Sequence, residues 1–203
     1  MRNHRPLLAV PMGLLLLSSA GCLRSTEQAN FYLLEPLSAG SAAAEPGGAE
    51  NRSRPVVGVG PVKLPGYLNR PQIALAVGQG QIRLDEFRRW SEPLEDNFTR
   101  VLAENLRRLL PEVEVVIYPW RRSLDVAVQV EISVDVFHVA QDGNSLLDAQ
   151  WVATRGGKTE LLKQSRQRLP ADASSSAGIV AAQSQALAAF SREIAASLRP
   201  LLP

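Results

Sequence analysis

Few side chains in this 203-residue sequence can do covalent chemistry, and Cys22 stands first among them. It is the single cysteine, so an intramolecular disulfide is excluded. Two histidines occur, His4 and His138. A hydrolytic triad needs a histidine oriented by a carboxylate, and a typical zinc site needs several imidazoles or thiolates. His4 falls in a leader segment, which leaves His138 alone, and a lone histidine reads as structural. Its spacing of two from Val136 predicts that it shares the inward face of a long strand. Asp85-Glu86 and the trio Glu92, Glu95 and Asp96 offer paired carboxylates for acid–base work. The trio sits at the start of an expected helix, where the helix dipole favours acids, and that reason suffices. Gly58-x-Gly60 and Gly78-x-Gly80 lack the third glycine of a dinucleotide fingerprint, and no phosphate-loop lysine pattern occurs. Enzymatic activity, a metal site and a bound cofactor are therefore not expected.

The surroundings of Cys22 give its thiol a role. Arg2 and Arg5 precede an apolar run from Leu7 to Leu17, and Ser18-Ser19-Ala20-Gly21 then leads into the cysteine. A basic start, a short apolar middle and small residues at the cut are the layout of a secretory signal. The run is shorter than the roughly 20 apolar residues of a spanning helix, and Pro11 and Gly13 interrupt it. Ala20-Gly21-Cys22 resembles a bacterial lipobox, with Ser19 standing where leucine is most usual. This predicts a signal peptide over 1–21, a diacylglyceryl group on the Cys22 sulfur and an acyl group on its new amino terminus. Each buried methylene contributes about 0.8 kcal/mol and one chain alone holds only marginally, so several chains make a firm anchor. An aspartate after the cysteine commonly retains such proteins in the inner membrane of Gram-negative bacteria. Leu23 stands there instead, which points to the outer membrane, facing the periplasm.

The net charge of +2 disappears with the leader. Removing Arg2 and Arg5 from 22 basic residues leaves 20 against 20 acidic ones. Broad attraction to nucleic acid or anionic lipid is then unsupported. Arg88-Arg89-Trp90, Arg107-Arg108 and Trp120-Arg121-Arg122 place cations beside aromatics or each other. Such pairs can bind nucleic acid, but export makes solvated faces the expectation and nucleic acid an excluded partner.

The elements that must position any site follow from periodicity. Residues 22–30 read as a lipidated tether, 31–203 as one domain, and 37–55, rich in Ala, Gly, Ser and Pro, as a flexible loop. Strands are expected over 31–34, 55–64, 72–77, 81–84, 113–118, 124–139, 146–154 and 159–168. In the longest of these, Val126, Val128, Val130, Ile132, Val134 and Val136 alternate with polar residues, as in a strand with one buried face. Arg155-Gly156-Gly157-Lys158 predicts a hairpin turn. A helix is expected over 91–110, capped by Ser91 with Pro93 in its first turn and striped by Leu94, Phe98, Val101, Leu102, Asn105 and Leu109. A second, alanine-rich helix is expected over 177–198. The fold class is α+β: a single mixed, mainly antiparallel sheet with two helices packed on one face.

Two stretches go beyond these generic signals: Val59-Gly60-Pro61-Val62-Lys63-Leu64-Pro65-Gly66-Tyr67-Leu68-Asn69-Arg70-Pro71-Gln72, and Arg89-Trp90-Ser91-Glu92-Pro93-Leu94 leading into Arg100-Val101-Leu102-Ala103-Glu104-Asn105-Leu106. With the lipobox and Phe31-Tyr32-x-Leu34, they resemble the ABC-transport auxiliary lipoproteins of the PqiC/YmbA type, from Phe31 to the last helix. The resemblance implies an outer-membrane lipoprotein that serves an MCE-domain protein, itself a conduit for lipid between two membranes. It carries over no catalytic residue and leaves a homo-oligomer open. In this setting Leu64, Pro65, Tyr67, Arg70, Pro71 and Gln72 are candidates for a partner-binding loop. Prolines limit the entropy lost on binding, and Tyr and Arg are enriched at interface hot spots. The same prolines also suit a plain strand connection, with Tyr67 packed on the core. Trp90, Glu92, Pro93 and Leu94 are the family motif at the start of the first helix, read chiefly as fixing how the helix begins. Two other functions compete with the adaptor: a lipid carrier, which needs an apolar cavity, and a structural lipoprotein of another envelope complex.

Overall fold

The long alternating run around Val130 sets the centre of the molecule. In the computed structural model, which describes residues 28–38 and 54–203, the run forms β6 (Val128–Val139). β6 pairs antiparallel with β7 (Asn144–Arg155), and β7 with β8 (Lys158–Pro170). The turn between β7 and β8 carries Gly156 and Gly157 at φ 55° and 76°. A tight turn of that hand suits right-twisted strands, and glycine adopts it without a Cβ clash.

The other edge of β6 has two neighbours in succession. β2 (Val56–Lys63) runs parallel to its first half, from Val57 beside Val128 to Lys63 beside Ser133. β3 (Gln72–Gly78) meets only its end, at Leu75 beside Val139. Outside β2 lies β5 (Glu114–Ile117), parallel to it. Outside β3 lie β4 (Gln81–Trp90), antiparallel, and then β1 (Asn30–Tyr32), parallel to β4. Among the described residues the result is one mixed sheet of eight strands. Helices α1 (Leu94–Leu109) and α2 (Ser176–Leu198) cover one face of it and touch each other, which is the expected α+β architecture.

The core lies between helices and sheet. Phe98 of α1 meets Phe137 of β6 edge to face at 5.3 Å, and Phe190 of α2 at 6.5 Å. All three are fully buried, and burying each such ring contributes about 1.5–3 kcal/mol. Trp151 of β7 is buried beside them, its indole N–H donating to Ser165 Oγ at 3.0 Å. α2 starts as expected: Ser175 Oγ accepts from the Gly178 N–H at 3.0 Å, a cap that contributes about 1 kcal/mol.

Three sequence expectations need correction. α1 begins at Leu94, with Pro93 rather than Ser91 in the capping position and no side-chain cap. Ser91 is occupied elsewhere, its N–H donating to Tyr32 O at 2.9 Å and so tying the end of β4 to β1. β4 itself continues to Trp90 instead of ending near Leu84. In β6 the register with β7 slips between Val134 and Val136. Such a bulge reverses the side-chain alternation. Beyond it Phe137 and Val139 point into the core, while Val136 and His138 turn to the opposite face.

The first strand is also shorter than expected, and the reason lies on α1. After Tyr32 the chain leaves the sheet as an extended strap over the seam between the helices. Asn97 Oδ1 accepts from Leu34 N–H at 2.7 Å, Ser184 Oγ from Glu35 N–H at 3.0 Å and Asn105 Oδ1 from Leu37 N–H at 2.7 Å. Both asparagines are fully buried, so they supply to the strap what a neighbouring strand would have supplied. The segment expected as a loop over 37–55 is thus held at Leu37, and at its far end Pro55 O accepts from Glu114 N–H. Its interior, with Cys22, the leader and most of the tether, lies outside the described residues.

Candidate functional site

β2 ends at Lys63 and β3 starts at Gln72, and between their partners Ser133 and Val139 the edge of β6 has no strand beside it. The candidate loop fills that gap. Pro65 precedes a 3-10 turn over Gly66–Leu68, closed by Leu68 N–H to Pro65 O at 2.9 Å, and Leu68 is buried beneath it. Leu64 N–H donates to Glu95 Oε2 of α1 at 3.2 Å. The Tyr67 hydroxyl lies 2.9 Å from His138 Nδ1 and accepts a long bond, 3.5 Å, from the Phe137 N–H of β6. Burial pushes the Tyr67 phenol up from its ordinary value, with the Phe137 N–H pulling against it. Burial likewise pushes His138 down, opposed by the charge of Asp148. Both shifts favour the neutral forms, and in the Nε2-protonated tautomer of His138 the hydroxyl donates to Nδ1. Tyr67 is a half-buried plug of the sheet edge, and His138 is its partner.

The loop then turns toward the start of α1. Trp90 N–H donates to Pro71 O at 2.7 Å, which presses residues 69–71 against residues 90–94. Asn69, Arg70 and Pro71 face Trp90, Ser91, Glu92, Pro93 and Leu94 across a groove of about 290 Å³. Trp90 and Leu94 form its buried floor. Glu92 is bound from within by the Arg100 guanidinium and by Asn97 Nδ2. The Arg100 bond is the chief cause that holds the Glu92 carboxyl below the usual range. Arg70 differs: it is exposed on the lip and makes no hydrogen bond or ion pair among the described residues. Gln72 donates to Glu86 at 3.0 Å and does not line the groove.

Two sequence stretches about twenty residues apart thus converge on one concavity, with Tyr67, Leu64 and Pro65 supporting the loop from behind. Sequence reasoning missed Asn97, which joins Glu92 to the strap. Its signal was present: Asn97 and Asn105 stand eight residues apart on the apolar stripe of α1. The groove offers an aromatic floor, rigid proline walls and an arginine unpaired among the described residues, which suits an apolar or acidic segment of a protein partner. Two of the other cationic clusters are engaged internally, whereas Arg121 and Arg122 are exposed and make no side-chain hydrogen bond or ion pair among the described residues. Arg88 pairs with Asp85, Arg89 with Glu86, and both Arg107 and Arg108 with Glu104. Trp120 lies over Gly58, where a Cβ would come within 2.6 Å of its ring. Among the described residues no three side chains form a metal-binding group, and no helix is long and apolar enough to cross a membrane.

Residues 32–195 match the family described as the ABC-type transport auxiliary lipoprotein component. The chain belongs to this family. Two solved structures share the lipoprotein's fold. One is the crystal structure of an uncharacterized protein, at 19% identity and TM-score 0.69, covering 85% of this chain and 99% of its own. The other is the crystal structure of protein XCC0632 from Xanthomonas campestris, at 14% identity and TM-score 0.65, covering 85% and 96%. Such identities establish the architecture alone. No curated protein sequence matches the chain. The family match runs from β1 into α2 and so includes both walls of the groove.

Proposed function

We propose that this auxiliary lipoprotein is a non-enzymatic adaptor of an MCE-type lipid-transport system. In this reading, acyl groups on Cys22 hold it at the outer membrane with its domain in the periplasm, and the groove between residues 69–71 and 90–94 docks the MCE-domain protein. The observation that carries the reading is the convergence of the two motif stretches on one groove whose acid is internally satisfied and whose arginine has no partner among the described residues. Binding there needs no catalytic group. An acyl-chain carrier finds less support, because Phe98, Phe137, Phe190 and Trp151 fill the space between helices and sheet where a chain would lie.

The test is crosslinking in living cells, followed by mild-detergent capture of the acylated protein and identification of its partners by mass spectrometry. Enrichment of an MCE-domain protein, with the crosslink on residues 69–71 or 90–94, is the expected result. Capture of a different envelope complex alone would remove the MCE assignment, and co-purified phospholipid in stoichiometric amount would favour the carrier.

A further inference from the structure

The side chains that face outward beside the tether suggest how the domain meets its membrane. Along β1 and its exit, Tyr32 and Leu34 turn inward while Phe31 and Leu33 turn out, 63% and 43% exposed. Phe87, on the neighbouring strand β4, is 40% exposed. Among the described residues these are three of five exposed large apolar side chains; the other two, Tyr118 and Leu162, lie beyond β5 and on β8. β1 and β8 are at opposite ends of the strand order, so the apolar residues gather at one edge of the sheet. That edge is also where the chain comes from its anchor. Phe31 follows Cys22 by nine residues, which reach at most about 30 Å when fully extended.

We infer that Phe31, Leu33 and Phe87 form a membrane-resting surface that seats in the interfacial layer of a phospholipid bilayer. The inference rests on the reading that Cys22 is acylated. Aromatic rings and leucine favour the boundary between headgroups and acyl chains. Held within the tether's reach, two or three such side chains suffice to choose which edge lies down, because the anchor already supplies the attachment. The flanking cations do not act as an electrostatic glue: Arg88 is engaged by Asp85 at 3.2 Å and Arg89 by Glu86 at 2.7 Å. The surface is therefore apolar rather than basic, and its seating is indifferent to anionic lipid.

The test places photoreactive benzoylphenylalanine, one site at a time, at positions 31, 33, 87 and 162 of the acylated protein, reconstituted in phosphatidylethanolamine vesicles with and without phosphatidylglycerol. Lipid adducts are counted by mass spectrometry. The expected yield at positions 31 and 33 is about tenfold that at position 162 in both vesicle types. A yield at positions 31 and 33 no greater than at position 162 overturns the inference, as does a yield that vanishes without phosphatidylglycerol. The mass of the Cys22 peptide reports acylation separately. Should its thiol prove free, the anchor reading fails, and the same four variants coupled through that thiol to a maleimide lipid still decide the surface.

Discussion

Two flanks of α1 use polar side chains in opposite ways. On the strap side, Asn97 and Asn105 are buried and every bond they make runs to the protein itself, to Leu34, Leu37, Glu92 and Ser191. At the groove, Glu92 is satisfied by Arg100 and Asn97, yet Arg70 across from it is exposed and has no such bond among the described residues. The difference teaches that lying in a motif does not by itself mark a residue as recognition. Within one candidate loop, Tyr67 belongs to the first kind and Arg70 to the second. A buried polar group that loses its partner leaves an unsatisfied atom in the interior, whereas a solvated arginine loses little when replaced. Substitutions on the two flanks should therefore separate stability from partner capture.

The largest effect is expected in the shared core. Phe98→Ala removes a ring that touches both Phe137 and Phe190, and urea unfolding should show a loss of about 3–5 kcal/mol. Next is Asn97→Ala, which leaves the Leu34 N–H without its acceptor in a buried position and takes from Glu92 one of its two partners, Arg100 remaining. A loss of about 1–3 kcal/mol is expected, with faster hydrogen exchange at Leu34 and Glu35 than at β6. A loss near zero would mean that the strap is not held by its asparagines.

Much of this division was legible in the sequence, and the remainder was hidden for identifiable reasons. Alternation exposed β6, and a helical stripe exposed α1, because both elements bury a face with a fixed period. The bulge after Val134 was not legible: nothing in Val134-Asp135-Val136 distinguishes a slip from continued alternation, and so His138 was placed on the wrong face. The strap was hidden because Phe31-Tyr32-Leu33-Leu34 has the composition of a strand, while the groups that draw it off the sheet lie more than sixty residues away. The two walls of the groove were each visible as motifs, but their meeting depends on the bond from Trp90 to Pro71, which no local pattern encodes.

The Tyr67–His138 contact offers a smaller break on the structural side. Tyr67→Phe keeps the ring and removes the hydroxyl, so about 1 kcal/mol of stability is expected to go, with partner capture unchanged. Loss of capture at unchanged stability would move Tyr67 to the recognition side of the comparison. The burial of His138 at this contact sets a pH dependence. Burial holds His138 below its ordinary value, so as pH falls the unfolded chain takes up the proton first. This contribution to stability is therefore full above the unfolded value of about 6.5 and is lost as pH falls below it toward the depressed folded value. Melting curves of His138→Gln should be flatter across that window than those of the parent protein.

The smallest stability effect is expected at Arg70, and it decides the most about recognition. Arg70→Glu reverses a charge that is solvated and without a partner among the described residues, so urea unfolding should change by less than about 0.5 kcal/mol. Because Arg70 stands on the lip of the groove and Glu92 already contributes a negative charge to its lining, the reversal leaves two acids facing an incoming segment. Like charges brought together at a contact oppose association, so capture of the partner should fall by at least about tenfold. Arg70→Lys separates charge from shape: it retains the cation and loses the planar fork, so intermediate capture would indicate a bidentate acid on the partner, and full capture a simple charge contact. If Arg70→Glu leaves both stability and capture intact, the groove is a packing by-product of the strand connection. Recognition must then lie on another exposed surface, such as that around Tyr118, which is 52% exposed.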